Sequence, residues 1–552
     1  MIFDPILPPE RIARAKADGA WSDRLIIDDL DAAVARNPDG AAIVGLNSMT
    51  GRRETLTYRQ LQRTANRLAL ALVERGVQPG DVVSCQLPSW WQIAALYLAC
   101  VRIGAALNPV MPIFRHRELT FMLGFCEAKV LVVPRKFRGF DFPRMIEEIR
   151  PELPKLEHLF VIDSGDERDF EQALLTRRLE DELDAAAIFA ERRPHPNDVT
   201  MLLYTSGTTG EPKGVMHTHN TLLLGGRNLN IVLALDETSS VFMPSPLAHV
   251  TGFLIGLVEP IQLGIKVVLQ DHWDPIVAAQ LIQDERLTTT VSATPFLADL
   301  TKTPAVRNYD LSSLIRFHCG GAPIPRALVQ QAWEEMQMTV TSCWGMSEVC
   351  LVTTTTADDP PEKSIQTDGR AVLGMEVRIV DAMDQPVPTG EEGRLQARCH
   401  SMFVGYLKRP DAYNVDAEGW FETGDLARMD EEGYIRITGR SKDIIIRGGE
   451  NIPVVEVEQL LYHHPAVADA AIVAMPDERL GERGCCFITL QDGQQFTFNE
   501  MQAYLREQHM SRSYLPERLE IIPEMPRTPS GKIQKFKLRE MARELAVPAA
   551  AV

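Results

Sequence analysis

One pattern recurs along the first part of the chain and limits what it can fold into: an amphipathic stretch, a Gly or Pro turn, then a short apolar run. Residues 58–74 (YRQLQRTANRLALALVE) set Leu61, Ala65, Leu68 and Leu72 on one helical face, and Gly76 with Pro79-Gly80 stops the helix. The apolar runs at 82–87 and 128–133 read as strands, with a helix at 93–101 between them. A second series begins at Thr200, with strands expected at 241–244, 266–269, 289–292 and 315–319. Such a βα rhythm predicts parallel sheets covered by helices, an α/β architecture.

From about residue 372 the texture changes to short strands separated by Gly, Pro and Asp turns (MEVRIVDA, EGRLQARCH, GWFETGD, GYIRITGR), which predicts a small β-barrel-like unit over about 365–438. Beyond Arg440 the pattern is mixed, with helices expected at 454–462 and 499–508 and strands at 468–474 and 486–490. A chain of 552 residues exceeds what one hydrophobic core organises. The expectation is therefore a large N-terminal domain, 1–439, of two parallel-rich α/β subdomains plus the small barrel, and a smaller α+β C-terminal domain, 440–552.

The formal charge of −18 argues against a partner that is nucleic acid or an anionic membrane, whose phosphates the average field would repel. A small polyanion would need positive charge assembled locally. The nine cysteines are odd in number and scattered, with no C-x-x-C pair, so reduced thiols in a cytoplasmic protein are expected. Adjacent Cys485 and Cys486 should lie on opposite faces of a strand. The N-terminus has no basic segment leading into a long apolar run, so no signal peptide is expected. The most apolar stretch, 90–111, is broken by Gln92, Arg102, Asn108 and Pro109 and reads as a buried helix followed by a turn, not a membrane span.

The most informative segment is 202–214, LLYTSGTTGEPKG. Apolar residues and Tyr204 suggest a strand end. Thr205, Ser206, Gly207, Thr208, Thr209 and Gly210 then supply hydroxyls and glycines, and Lys213 adds a positive charge. Glycines let backbone N–H groups converge on phosphate oxygens, while hydroxyls add donors or metal ligands. A plain flexible turn is the alternative for any such loop. It is not a Walker loop, because Lys213 is followed by Gly214 and Lys532 by Ile533 where Ser or Thr would be required.

YTSGTTGEPKG resembles the phosphate-binding signature of the AMP-forming adenylating superfamily, which comprises acyl-CoA synthetases, peptide-synthetase adenylation domains and beetle luciferases. Further motifs of that superfamily follow in order: GGAP at 320–323, SCWGMSE at 342–348, TGD at 423–425, GRSKD through RGGEN at 439–451, and PRTPSGK at 526–532. The resemblance spans nearly the whole chain and implies ATP, Mg2+ and coenzyme A as reactants or cofactors. It makes Glu348 the magnesium-binding carboxylate, with Thr205 a second ligand; Ser347 stands where the family often has Thr. It sets Trp344 against the adenine ring, with Gly321, Ala322 and Pro323 as the opposite wall and Cys343, Gly345 and Met346 beside them, although a core tryptophan is the alternative reading. It gives Asp425 the ribose hydroxyls and brings Arg440 to ribose or phosphate. Lys442 falls at the hinge of a mobile C-terminal domain, and Gly448-Gly449 at the pantetheine passage. Lys532 matches the lysine that bridges carboxylate and α-phosphate, in a motif where acetylation silences acyl-CoA synthetases.

His249, in PLAHVTG, falls where acid–CoA ligases border the reacting carboxylate; a hydrogen-bonded core imidazole is the other reading. Residues 244–252 hold no Asp to pair an α-ammonium, so an unsubstituted acid fits better than an amino acid. His249, Val250, Thr251, Gly252, Phe253, Gly320, Met346, Val349 and Cys350 would line a mostly apolar pocket. The segment FDPILPPERIARAKADGAW and the general texture are similar to cyclohexanecarboxylate–CoA ligases and short- or medium-chain fatty acyl-CoA synthetases. The expected reaction is therefore acid activation on coenzyme A, with cyclohexanecarboxylate or a related alicyclic or medium-chain acid. Three rivals stand beside it: a short- or medium-chain fatty acyl-CoA synthetase, a stand-alone enzyme loading a carrier protein, and a catalytically silent acid-binding protein. A homodimer is compatible with all of them.

Overall fold

The computed structural model describes residues 3–205, 212–320, 326–440, 445–447, 450–452, 454–477, 481–508, 510, 514–528 and 531–546. Its largest sheet runs, in spatial order, Arg370–Ala371, Cys350–Thr354, Thr339–Met346, Arg316–Gly320, Thr289–Ser292, Ser240–Met243, Lys266–Gln270, Ala41–Asn47 and Arg52–Thr57. From Thr339–Met346 to Ala41–Asn47 every neighbour is parallel, and antiparallel strands close both edges. A second sheet orders Lys213–Thr218, Val199–Thr205, Ala106–Pro109, Val82–Cys85, Val130–Pro134 and His158–Ile162, parallel except for the hairpin of its first two strands.

The local causes are those of the sequence pattern. Thr57 and Gln60 form a capping box that starts the helix Tyr58–Glu74, whose buried face includes Leu61, Ala65, Leu68 and Leu72. The chain leaves this helix at Gly76, in the left-handed region at φ 78°. Helix Trp91–Ile103 has all but Arg102 buried, and Arg102 pairs with Asp31. A helix apolar on every side is one enclosed by protein, and no described helix is long and apolar enough to cross a membrane.

The strands Met375–Val380, Gly393–Cys399, Phe421–Met429 and Ile435–Arg440 make a four-stranded antiparallel sheet, so the barrel-like segment takes the expected strands. After Arg440 the chain builds a separate α+β unit. Glu450–Ile452, Ile445–Arg447, Gly481–Leu490 and Val467–Asp477 form its sheet, with Arg518–Ile521 also on Gly481–Leu490. Helices Val454–Tyr462 and Phe498–Glu507 pack on one face and Lys535–Ala546 on the other. Cys486 joins the first of these cores and Cys485 the second, the opposite-face arrangement expected of adjacent strand residues.

Candidate active site

The phosphate-loop segment sits on a hairpin. Strands Val199–Thr205 and Lys213–Thr218 pair antiparallel with Thr205 directly opposite Lys213, so a hydroxyl and an ammonium flank the two ends of the connection. Ser206, Gly207, Thr208, Thr209 and Gly210 lie outside the described residues. Lys213 places its Nζ 4.7 Å from the centre of the Tyr406 ring, within cation–π range.

Glu348 occupies the turn between Thr339–Met346 and Cys350–Thr354, where Met346 pairs with Cys350. The turn needs Gly345, because a Cβ there would meet the Cys350 carbonyl oxygen at 2.1 Å. Three contacts fix Glu348 and its neighbour: the Tyr406 hydroxyl donates to Glu348 Oε1 at 2.8 Å, the Phe403 N–H to the Glu348 carbonyl at 2.7 Å, and His217 Nε2 to the Ser347 carbonyl at 2.7 Å. Burial raises the pKa of the Glu348 carboxyl, while the Tyr406 hydroxyl and the charges of Arg440 and Lys213 oppose that rise. Cys343, half-buried on the neighbouring strand, has its thiol pushed up to about 12 by burial and is no nucleophile at neutral pH.

Asp425 is buried at 3% exposure on strand Phe421–Met429, opposite Arg440 in register. Its two oxygens have separate donors: Arg440 Nε reaches Oδ1 at 2.8 Å and the Trp344 indole N–H reaches Oδ2 at 2.9 Å. Trp344 is thus tied to Asp425 across 81 positions of sequence. Gly321, Ala322 and Pro323, the expected opposite wall, lie outside the described residues.

Lys532 comes from the C-terminal unit. Gly531 packs its Cα against Ala293 and Pro295, where a Cβ would sit 3.4 Å from both side chains. This contact delivers Lys532 to the N-terminal site. Burial lowers its pKa, as does the charge of Arg440, and the carboxylates Asp425 and Glu348 oppose the shift. His249 caps the one-turn helix Val250–Phe253, its Nδ1 accepting the Thr251 N–H at 3.3 Å. Burial lowers the imidazole pKa to about 3, with a smaller contribution from Lys532, so His249 is neutral at physiological pH. Lys532 is therefore within electrostatic reach of Glu348, Asp425 and Arg440, and His249 within reach of Lys532. Lys442, Gly448 and Gly449 lie outside the described residues.

Residues 30–407 match the AMP-binding enzyme family, and residues 456–532 match the AMP-binding enzyme C-terminal domain. The chain belongs to the AMP-binding enzyme family. It is 36% identical over 535 residues to a medium-chain fatty-acid–CoA ligase of Escherichia coli (strain K12), covering 96% of this chain and 93% of that one. It is 32% identical over 543 residues to a salicylyl-CoA synthase / salicylate adenylyltransferase of a Streptomyces species, covering 97% of each. Among solved structures it resembles an anthranilate CoA ligase in complex with anthranoyl-AMP, at TM-score 0.83 and 26% identity, covering 95% of this chain and 98% of that one.

An AMP-binding enzyme of net charge −18 must meet its nucleotide with local positive charge. Lys213, Arg440 and Lys532 all lie within electrostatic reach of Glu348. The buried Glu348 carboxylate and the Thr205 hydroxyl offer oxygen, the donor type that a hard cation such as magnesium takes. Tyr406 was not legible as a site residue. Only the structure brings it there, through the pairing of its segment with Lys213–Thr218.

Proposed function

We propose that this AMP-binding enzyme is an acid–CoA ligase of the AMP-forming type. A carboxylate oxygen attacks the α-phosphorus of ATP, the bond to pyrophosphate breaks, and acyl-AMP forms. The thiol of coenzyme A then attacks the acyl carbon, the bond to AMP breaks, and acyl-CoA leaves with AMP. Both steps bring anions or developing negative charge together, so catalysis consists of positioning and charge neutralisation. Lys532 would bridge carboxylate and α-phosphate, and Arg440 and Lys213 would hold the phosphates. Asp425 would accept from the ribose hydroxyls, and neutral His249 would border the acid. Magnesium, when bound by Glu348 and Thr205, would neutralise charge on the phosphates.

The observation that carries this reading is the approach of Lys532, half-buried and from the C-terminal unit, to Glu348, Asp425 and Arg440, with His249 close enough to feel its charge. Withdrawing an ammonium from water is costly unless opposite charges offset it, and the carboxylates of Asp425 and Glu348 supply that offset here. The decisive assay is acid- and coenzyme A-dependent release of pyrophosphate and AMP. Release of ADP, or no stimulation by any acid, would overturn the reading. Running the assay with a phosphopantetheinyl carrier protein in place of coenzyme A separates the carrier-loading alternative.

For the acid we propose a compact hydrophobic carboxylate, with cyclohexanecarboxylate and medium-chain acids as the first candidates. Val250, Gly252, Phe253, Val349 and Cys350 are buried together, and Phe253 stands edge-on to Tyr97 at 4.8 Å. Behind them the helix His219–Val232 is in close contact: a Cβ on Gly225 would meet Cys350 Sγ at 3.2 Å and Leu254 at 3.4 Å. That contact supports a short pocket. A methylene is worth only about 1–3 kcal/mol in an apolar site, so a panel of related acids should be turned over at graded rates.

A further inference from the structure

Tyr406 touches both of the groups to which the phosphate chemistry is assigned, by its two chemically different ends. Its hydroxyl donates to Glu348 Oε1 at 2.8 Å, and its ring face lies 4.7 Å from Lys213 Nζ. The side chain is 5% exposed and held edge-on by Phe403 at 4.8 Å. Its backbone is equally determined, because the segment around it is stitched to strand Lys213–Thr218. The Val404 N–H donates to the Met216 carbonyl at 3.0 Å, the Met216 N–H to the Gly405 carbonyl at 3.0 Å, and the Leu407 N–H to the Gly214 carbonyl at 2.8 Å. Tyr406 therefore cannot shift without moving the strand that begins at Lys213.

We infer that Tyr406 is a positioning residue that couples the phosphate-loop lysine to the metal-binding carboxylate, fixing Glu348 in the orientation in which it receives magnesium-bound nucleotide. The inference rests on the reading of Glu348 as the magnesium carboxylate. A buried carboxylate at a turn has free rotation about its last side-chain bond unless one oxygen is held, and a neutral phenol holds it without cancelling the charge that a cation needs. Burial raises the Tyr406 hydroxyl's pKa above its ordinary value, so it remains a donor. The ring meanwhile offers its negative face to Lys213, which keeps the ammonium from pairing directly with Glu348 and leaves both charges available to the phosphates.

The test is equilibrium binding of ATP to the full-length enzyme, without acid, by calorimetry at a series of free Mg2+ concentrations. Tyr406→Phe keeps the ring and the backbone pairing and removes only the hydroxyl. It should raise the Mg2+ concentration needed for half-maximal ATP binding by about 10- to 100-fold, the range for a hydrogen bond to a charged group. Tyr406→Leu removes the ring as well and should weaken ATP binding further, including at saturating Mg2+. In a Glu348→Gln background Tyr406→Phe should add less than about twofold, because the group it acts through is gone. An unchanged Mg2+ requirement in Tyr406→Phe, or an effect of equal size with and without Glu348, would overturn the inference while leaving the assignment of Glu348 intact. If Glu348→Gln alone leaves the Mg2+ requirement unchanged, that assignment falls and takes this inference with it.

Discussion

The Trp344 indole N–H donates to Asp425 Oδ2 at 2.9 Å. Arg440 takes the other oxygen, so the carboxylate enters nucleotide binding with its plane already fixed. An aromatic wall needs only a ring, whereas this contact needs the indole nitrogen. Trp344→Phe keeps a flat apolar surface and removes the donor. It should raise KM for ATP about tenfold, the effect of losing a hydrogen bond to a charged acceptor, and change kcat less. Steady-state kinetics with ATP varied at saturating acid and coenzyme A measure the split. Trp344→Phe kinetics equal to wild type would reduce the residue to a stacking wall.

Lys532 supports a second prediction, because it alone among the converging charges belongs to the C-terminal unit. Lys532→Ala should lower adenylate formation by about 10²- to 10³-fold or more, the scale for removing one group that stabilises transition-state charge. Thioester formation from a supplied acyl-adenylate should be largely retained. The two half-reactions are followed separately by pyrophosphate release and by acyl-CoA appearance. Equal losses in both would mean that Lys532 serves one arrangement of the site throughout. Lys532→Gln, which removes the charge as acetylation would, should behave like the alanine variant.

Much of this was readable before the structure, and the unreadable part has a common cause. Helix Tyr58–Glu74 and strand Thr289–Ser292 appear where periodicity placed them, since a buried face or a wholly buried strand leaves a local pattern. Phe421–Met429 runs beyond its expected end at Asp425 because pairing with Ile435–Arg440 continues through Leu426, Ala427, Arg428 and Met429. Motif order named Glu348, Asp425, Arg440 and Lys532. It could not show that Trp344 reaches Asp425 or that Tyr406 reaches Glu348, contacts that span 81 and 58 positions of sequence. Such pairings are set by sheet register and domain docking, which leave no trace in local spacing.

Gly531 tests how tightly the two units must fit. It holds φ at 83° and its Cα lies against Ala293 and Pro295, where an added methyl would approach both at 3.4 Å. Gly531→Ala thus strains the backbone by about 1–2 kcal/mol and crowds the docking contact together. Adenylate formation should fall about tenfold while Lys532 itself is intact. Thioester formation from supplied adenylate should fall less. Equal retention of both rates would show that the docking geometry tolerates a looser fit.

Three buried imidazoles, His217, His219 and His318, and the half-buried His249 make stability depend on pH. Burial is the leading cause that lowers His217 to about 4 and His219, His249 and His318 to about 3, against an ordinary value of 6.5. Between pH 3 and 6.5 the unfolded chain binds protons that the folded chain refuses, so stability rises with pH across that window and is lost on acidification. Each such group contributes a slope of up to about 1.4 kcal/mol per pH unit. His219 is apart from the site residues, and its Nδ1 is buried with no hydrogen-bond partner among the described residues. His219→Gln should therefore flatten the fall in stability between pH 6.5 and 4 by about that amount and leave kcat at pH 7.5 unchanged. Urea denaturation at a series of pH values reads the slope. A wild-type slope in the variant would mean that His219 is protonated in the folded chain or that the unfolded chain shields it equally.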